Sequence, residues 1–361
     1  MNSVFAAFRL ISRLNFHLPI VIVFMSFFVD DVLTIAILAA IYTLCSALTI
    51  ALFSGRGFDA KWMVLLGEWS KVAGLGWLIA MRDLNALFIF QVLSGVGHGL
   101  SISGESQLAN RINSGGMARS QTVTFVQVYL SFAFTGIAGV FLFLEQAIYP
   151  FMASLVASFT SFLLVASLQP DPGAASAQAR AKPAPLTINL PVLLTAAEFI
   201  FLRAIPLGVF VFFMPVKLFF VMNLDIYWIS AFLILFTLSG AVTGILVGRF
   251  FKYFHNPLIQ VVFLAGHAGA AAVMLLSQDV IYLLAAALYL GGSSAVSRPQ
   301  AAYRVENSVE GADKSLTFRY VNFFELLCSG FIAVTVMLLA LYTITAFGPT
   351  MSGIRALGAG G

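Results

Sequence analysis

Long apolar stretches follow one another along almost the whole of this 361-residue chain. An α-helix needs about 20 predominantly apolar residues to cross the hydrocarbon core of a bilayer. Because lipid offers no hydrogen-bond partners to the backbone, such stretches predict membrane-spanning helices. The predicted spans, numbered 1 to 11 below, cover residues 4–29, 32–54, 62–81, 84–108, 120–143, 147–168, 191–221, 226–248, 257–278, 280–298 and 316–346.

The composition favours the same fold class. Hydrophobic residues make up 60% of the chain and charged residues 9%, whereas soluble domains carry about 25% charged residues. The net charge of +4 is spread over short loops, which is not the pattern of a nucleic-acid-binding face. Cys45 and Cys328 lie inside apolar stretches, where we expect free buried thiols. The sequence therefore predicts an all-α integral membrane protein.

A polar connector divides the predicted spans into two groups. Residues 169–185, QPDPGAASAQARAKPAP, contain few large apolar side chains, and this composition is typical of a flexible linker. We therefore predict an N-terminal six-helix bundle at 1–168, a cytoplasmic linker at 169–189, a C-terminal helical bundle at 190–346 and a short tail at 347–361.

The distribution of basic residues predicts the orientation of the chain. Of the 19 Lys and Arg residues, fourteen fall on the side of the N-terminus and the linker, three on the opposite side, and Lys71 and Arg203 within spans. Cytoplasmic loops are enriched in Lys and Arg. We therefore expect a multi-pass protein of the inner (cytoplasmic) membrane with its N-terminus in the cytoplasm. No cleavable signal precedes the first apolar stretch, which we expect to be retained as a span.

Matching loops occur at matching positions in the two groups of spans. Arg111-Ile-Asn-Ser and Arg119-Ser-Gln-Thr122 connect spans 4 and 5, while Arg304-Val-Glu-Asn-Ser308 and Lys314-Ser-Leu-Thr317 connect spans 10 and 11. Similar features in two halves of the same topology indicate a parallel internal repeat.

This organisation resembles the major facilitator superfamily. In that family, the loop after the second helix carries a Gly, three further residues, an Asp and a basic cluster. The present chain has Gly55-Arg-Gly-Phe-Asp59-Ala-Lys61, which keeps the spacing from Gly to Asp and one cation. The Gly-rich run that ends at Glu105 in span 4 is also similar to one branch of the family.

The resemblance implies two pseudo-symmetric helical bundles with about 11–12 transmembrane helices, which transport a solute by alternating access. It also implies that the basic loops control the conformational change. The candidates for this role are Gly55, Asp59, Lys61 and, after span 8, Arg249.

Charged residues inside predicted spans are the candidates for function, because each costs about 2.5–3.5 kcal/mol at a helix centre. Glu68 and Lys71 lie three residues apart, so they share a helix face and are able to pair. They either take part in transport or stabilise the adjacent loop. Glu105 either takes up a proton as a desolvated carboxylate or anchors a helix end by pairing with Arg111 or a loop Arg.

Two later spans contain further candidates. Glu198 and Arg203 lie five residues apart in span 7, so they point in different directions and need partners on other helices or in a water-filled cavity. Glu325 and Asn322 form a second polar patch in span 11. We interpret both sets as lining a central cavity, with interhelical pairing as the alternative for the first.

Arg9, Arg13 and His17 recur every four residues in the first span. Such a stripe either attracts an anionic substrate or extends its Arg side chains to the lipid headgroups, and we favour the second interpretation. His98 lies among Gly residues, where we expect a structural hydrogen bond. The sequence contains no HExxH, Walker-type or GxSxG motif, so we predict no enzyme activity, no metal and no cofactor.

Together these features predict a secondary active transporter that moves a small organic molecule across the inner membrane. The resemblance implies alternating access and efflux, with proton coupling through Glu105, Glu198 or Glu325. The expected partners are the small-molecule substrate, protons and the lipid bilayer. A second interpretation is a non-transporting membrane scaffold or accessory subunit built on the same fold.

Overall fold

The computed structural model describes residues 3–29, 32–54, 58–112, 117–168, 194, 197–198, 204, 213–250, 257–308, 320–332, 334–335 and 338. These residues form helices and short connections, with no strand among them. The elements are α1 (Ser3–Ile11), α2 (Val21–Met25), α3 (Val32–Ser54), α4 (Ala60–Met81), α5 (Leu84–Ile112), α6 (Met117–Glu145), α7 (Tyr149–Ser167), α8 (Met214–Val216), a π-helix (Lys217–Val221), α9 (Tyr227–Phe250), α10 (Pro257–Leu276), α11 (Val280–Ser308) and α12 (Tyr320–Ile332).

The helices agree with most of the predicted spans. In the described part of the chain, six helices contain segments long and apolar enough to cross a membrane: Leu33–Phe53, Ala60–Met81, Leu84–Glu105, Val126–Glu145, Tyr149–Ser167 and Tyr227–Leu246. Shorter apolar helices cover Val261–Leu276, Val280–Val296 and Tyr320–Ile332. The protein is therefore a multi-pass membrane protein. The predicted linker, most of span 7 and about half of span 11 lie outside the described residues.

The outward-facing surface of the bundle is apolar, as a lipid-facing surface must be. Along α4, the side chains of Trp62, Leu66, Trp69 and Trp77 are each more than 40% exposed. In water such a surface would be strongly unfavourable, whereas lipid chains solvate it.

The prediction of one continuous helix at 4–29 is wrong. α1 ends at Ile11 and α2 begins at Val21, and residues 12–20, called the helix break below, form turns. Their backbone bonds run mainly between residues three apart, as from the Leu18 amide to the Asn15 carbonyl at 3.2 Å. Pro19 disfavours a continuous helix at the end of this stretch, because it has no amide hydrogen and disfavours helical geometry in Leu18 before it.

The helix break is buried against two neighbouring helices. On α6, a Cβ atom added at Gly139 would collide with the Phe16 carbonyl oxygen, so only Gly allows this approach. On α7, the Ser154 hydroxyl accepts a hydrogen bond from the His17 amide at 3.2 Å. Irregular backbone at membrane depth is tolerated where protein buries it or where it lines a cavity.

Small residues bring α4 and α5 into very close contact. A Cβ atom at Gly67 would lie 2.7 Å from the Gly97 carbonyl oxygen, and one at Gly97 would lie 2.5 Å from the Gly67 carbonyl oxygen. This is the packing that small residues provide between membrane helices. Its consequence for the site is that Glu68 on α4 faces Ser101 on α5.

The N-terminal half (residues 3–168) and the C-terminal half (residues 213–338) meet mainly along α6. The Tyr129 hydroxyl on α6 lies 2.5 Å from the Ser294 hydroxyl on α11, and Ser230 on α9 donates to the Gly136 carbonyl on α6 at 2.8 Å. A second contact joins α3 to α12, where Gly330 packs directly on Thr43. Helices of one half therefore pack on helices of the other along two separate lines.

The largest hydrophobic core joins both halves at one end of the bundle. This end, called the hairpin end, carries the short connections at 82–83, 146–148, 222–226 and 277–279. Its core includes Phe24 and Phe151 of the N-terminal half together with Phe232 and Leu283 of the C-terminal half. Apolar packing therefore closes the bundle at the hairpin end.

Lys217, one of the three basic residues that the sequence assigns to the side opposite the N-terminus, lies within this end. Its side chain is buried, and its Nζ atom donates to the carbonyls of Met274 at 2.6 Å and Leu275 at 3.1 Å. These are the last carbonyls of α10, which have no partner within the helix and attract a cation. Lys217 thus connects the π-helix to the end of α10.

Candidate functional site

A cavity with about 1080 Å³ of empty space, part of it open to solvent, lies within the N-terminal half. Its lining comes from the helix break and its flanking helices and from α3, α4, α5, α6 and α7. Among the described residues, the charged side chains of the lining are Arg13, Glu68, Lys71 and Glu105. The structure therefore brings three of the predicted transport residues to one cavity and adds Arg13.

Glu105 on α5 pairs with two arginines from the start of the chain. Arg9 Nε lies 3.0 Å and Arg13 Nη2 lies 2.5 Å from the same carboxylate oxygen, Oε1. These are the partners of Glu105 that the structure describes, one from α1 and one from the helix break, whereas the side chain of Arg111 lies outside the described residues. The expectation that Arg9 extends to the headgroups is wrong, because this residue is only 1% exposed. Two guanidinium groups stabilise the ionised form of the carboxylate.

Glu68 and Lys71 form the pair that their spacing predicts. Lys71 Nζ lies 2.7 Å from Glu68 Oε1, and the Ser101 hydroxyl donates to the same oxygen at 2.8 Å. Glu68 is completely buried, and its second oxygen, Oε2, has no hydrogen-bond partner. Both charged residues line the cavity, so the position of the pair favours a role in the cavity over stabilisation of the preceding loop.

Aromatic rings and His17 form the wall of the cavity toward the hairpin end. The imidazole of His17 stacks on Phe151, with ring centroids 5.4 Å apart, and meets the edge of Phe90 at the same distance. Its Nδ1 atom lies 2.8 Å from the Ser154 hydroxyl. The helix break therefore positions His17 in the lining, away from the stripe with Arg9 and Arg13 that a continuous helix would form.

His98 on α5 also lines the cavity. Its ring lies 5.6 Å from that of Tyr42 on α3. This contact joins two helices beside the cavity and is compatible with the structural role expected for His98.

The predicted loop residues have local structural contacts. Asp59 caps the N-terminus of α4, since its Oδ1 atom accepts from the amides of Lys61 at 2.7 Å and Trp62 at 3.4 Å. Lys61 Nζ donates to the carbonyls of Ala166, at 2.9 Å, and Leu168 at the end of α7. The pair therefore ties α4 to the last residues before the predicted linker. Gly55 and the side chain of Arg249 lie outside the described residues.

The remaining candidates are Glu198, Arg203, Asn322 and Glu325. Asn322 and Glu325 are buried in α12, only 2% and 4% exposed, on the helix that also packs on α3 through Gly330. Glu198 is half-buried, and Arg203 lies outside the described residues. The three that the structure describes, Glu198, Asn322 and Glu325, are not in the lining of the cavity.

Some residues of the site had no role in the sequence-based prediction. Ser101, Ser154 and the turns of the helix break are the main ones. Pro19 is a signal for the break, because proline ends or bends a helix. The partners Ser101 and Ser154 have no signal of their own, since each becomes important only through the packing of another helix.

No protein-family model matches the chain, and no curated protein matches it significantly in sequence. The crystal structure of the human organic anion transporter MFSD10 (TETRAN) is similar with a TM-score of 0.66 and 15% identity, covering 98% of this chain and 96% of that one. A D-xylose-proton symporter is similar with a TM-score of 0.72 and 11% identity, covering 97% of this chain and 98% of that one. The chain therefore shares the fold of these two structures, in agreement with the fold that the sequence resemblance implied.

Proposed function

We propose that this protein is a secondary active transporter that binds a small organic molecule in the cavity of its N-terminal half. The observation that carries the proposal is the cavity itself, with about 1080 Å³ of empty space beside four charged side chains. Charged residues within membrane spans are costly and mark solute or ion pathways. The two structural neighbours are described as transporters of an organic anion and of D-xylose, and both solutes are small organic molecules.

Alternating access requires the two halves to open at one end while they close at the other. In the described conformation, the apolar core closes the hairpin end, and the cavity extends from Met25 and Leu75 to Arg13 and Glu105. The basic-residue distribution supports a cytoplasmic N-terminus, so we assign this conformation to the inward-facing side of the cycle. A cavity that faces the cytoplasm suits loading for efflux from the cell across the inner membrane.

Proton coupling is assigned in this proposal to Glu68 in preference to Glu105. Two guanidinium groups hold the Glu105 carboxylate in its ionised form. Glu68 has one cationic partner, Lys71, and a buried oxygen without a hydrogen bond. A proton on that oxygen neutralises Glu68 and weakens its hold on Lys71, which changes the charge of the cavity wall. Glu198 and Glu325 are the alternatives in the C-terminal half.

The proposal is tested with the full chain in liposomes that contain a trapped pH-sensitive dye. A panel of organic acids, amines and neutral aromatic compounds is added to native protein, Glu68→Gln and a matched control, Glu145→Gln. Glu145 is exposed at the end of α6. We expect compound-dependent proton movement in the native and control proteins and its loss in Glu68→Gln. If proton movement persists in Glu68→Gln, another acidic residue carries the coupling. If radiolabelled compounds show no flux at all, the protein is not a transporter of these compounds and the proposal is contradicted.

A further inference from the structure

We infer that this cavity binds an amphipathic organic monoanion, whose charged group pairs with Arg13 and whose apolar body lies toward the hairpin end. The inference names the substrate class of the proposed function. That the bound molecule is then transported rests on the proposed function. Binding itself follows from the charges and shape of the cavity.

The charges around the cavity do not balance. Three cations, Arg9, Arg13 and Lys71, face two carboxylates, Glu68 and Glu105, so the described groups leave one positive charge in excess. Lys71 and Glu68 neutralise each other, and Glu105 serves both arginines. Removing a charge from water without a counter-charge costs several kcal/mol. A bound monoanion supplies the missing counter-charge.

The N–H groups of Arg9 and Arg13 likewise have too few hydrogen-bond acceptors. Both arginines donate to a single oxygen, Glu105 Oε1, although each guanidinium carries five N–H donors. Arg9 Nη1 and Arg13 Nε are buried and have no hydrogen-bond partner. An arginine in this state has unused capacity for a planar anionic group such as a carboxylate or sulfonate.

Access distinguishes the two arginines. Arg9 is 1% exposed and does not line the cavity, whereas Arg13 lines it and keeps 18% of its side chain exposed. The anionic group therefore meets Arg13 directly. Arg9 does not line the cavity, but it shares Glu105 with Arg13. Glu105 therefore compensates only part of the charge of Arg13.

The rest of the lining requires an apolar body on the same molecule. Beyond Arg13, the wall toward the hairpin end is made by large apolar side chains, among them Leu18, Ile22, Met25, Leu75 and Phe90. Sites for small molecules are mostly apolar with a few precisely placed polar groups. An inorganic anion would leave this apolar volume unfilled, and a cation would meet the excess positive charge.

The test measures binding of three probes that share one skeleton and differ in charge. They are phenylbutyrate, phenylbutanamide and phenylbutylamine, added to the purified full chain in nanodiscs of phosphatidylcholine, which has no net charge. We expect the anion to bind at least about tenfold more tightly than the amide, since a charge-assisted hydrogen bond contributes roughly 1.5–3 kcal/mol. The amine should bind most weakly. Equal or tighter binding of the amide or the amine overturns the inference.

Variants of the two partners of one ion pair distinguish an effect of charge on anion binding from an effect of structural damage. Arg13→Gln removes the excess charge, and we expect the preference for the anion over the amide to disappear. Glu105→Gln raises the excess charge, and we expect that preference to be kept or increased. Arg13→Lys should keep the preference, and the exposed Arg82→Gln should leave it unchanged. If Arg13→Gln and Glu105→Gln reduce the preference equally in folded protein, the charge argument is wrong.

The same probes distinguish failure of the inference from failure of the proposed function. Preferential binding of the anion without flux of any probe in liposomes supports the inference and contradicts transport of these compounds. Flux of the amide or the amine without binding of the anion contradicts the inference and leaves transport in place.

Discussion

Arg13 Nη2 lies 2.5 Å from Glu105 Oε1, although the two residues are 92 positions apart in the sequence. The contact fixes the helix break against α5 and gives the cavity a charged end. Arg9, in α1 just before the break, donates to the same oxygen. The geometry of the first 20 residues is therefore linked to the charge of the cavity.

Replacement of Arg9 by Ala tests the structural part of this relationship. Arg9 is buried and paired, and Glu105 keeps Arg13 as a partner when Arg9 is removed, so the change removes one charge-assisted hydrogen bond, which contributes about 1.5–3 kcal/mol. We expect a decrease of this size in the free energy of unfolding, measured by titration with sodium dodecyl sulfate. Arg82→Ala, at an exposed position, should cause no measurable change. A loss in both variants, or in neither, would show that Arg9 is not a buried partner of Glu105.

Gly139→Ala tests the contact between α6 and the helix break. A Cβ atom at this position collides with the Phe16 carbonyl oxygen, which is backbone and cannot rotate away. Overpacking of this kind typically costs about 1–3 kcal/mol. The matched control is Gly76→Ala on α4, where the new Cβ atom meets nothing within 4 Å. Thermal unfolding in detergent should show a lower Tm for Gly139→Ala alone, and equal Tm values would refute the close approach.

The extent to which this site follows from the sequence depends on the distance between partners along the chain. Apolar length predicts α3 to α7 and α9 to α11 because a helix crosses the bilayer within one continuous stretch. The spacing of three residues likewise predicts that Glu68 and Lys71 can pair. The partners of Glu105 were missed because they come from α1 and the helix break, more than 90 positions earlier in the chain.

The helix break in the first predicted span shows a second limit of prediction from the sequence. A purely apolar count favours one helix over 4–29, although Pro19 and Asn15 both disfavour it. The arrangement found depends on Gly139 and Ser154, which allow turns to pack at membrane depth. Such compensation comes from other helices, so local sequence rules do not predict it.

Tyr129 and Ser294 test the contact between the halves. Their hydroxyls lie 2.5 Å apart across α6 and α11, in a fully buried position. We expect Tyr129→Phe and Ser294→Ala each to lower the free energy of unfolding by about 1 kcal/mol. In a double-mutant cycle, the free energy lost by the double variant should be smaller than the sum of the two single losses, because each single variant already removes the same hydrogen bond between the two hydroxyls. Full additivity would indicate that the two hydroxyls do not interact.

The central claim is that the two halves move between two states under control of Glu68, and distance measurement tests it without knowledge of the cargo. Spin labels are attached at Arg82→Cys and Asp279→Cys, exposed sites of the two halves at the hairpin end, after replacement of Cys45 and Cys328 by Ser. Double electron–electron resonance in nanodiscs then reports the distances between the labels. We predict a population with the hairpin end closed and a second, longer population, with their ratio changed by Glu68→Gln but not by Glu145→Gln. One distance distribution, identical in all three proteins, would contradict alternating access and favour a non-transporting scaffold.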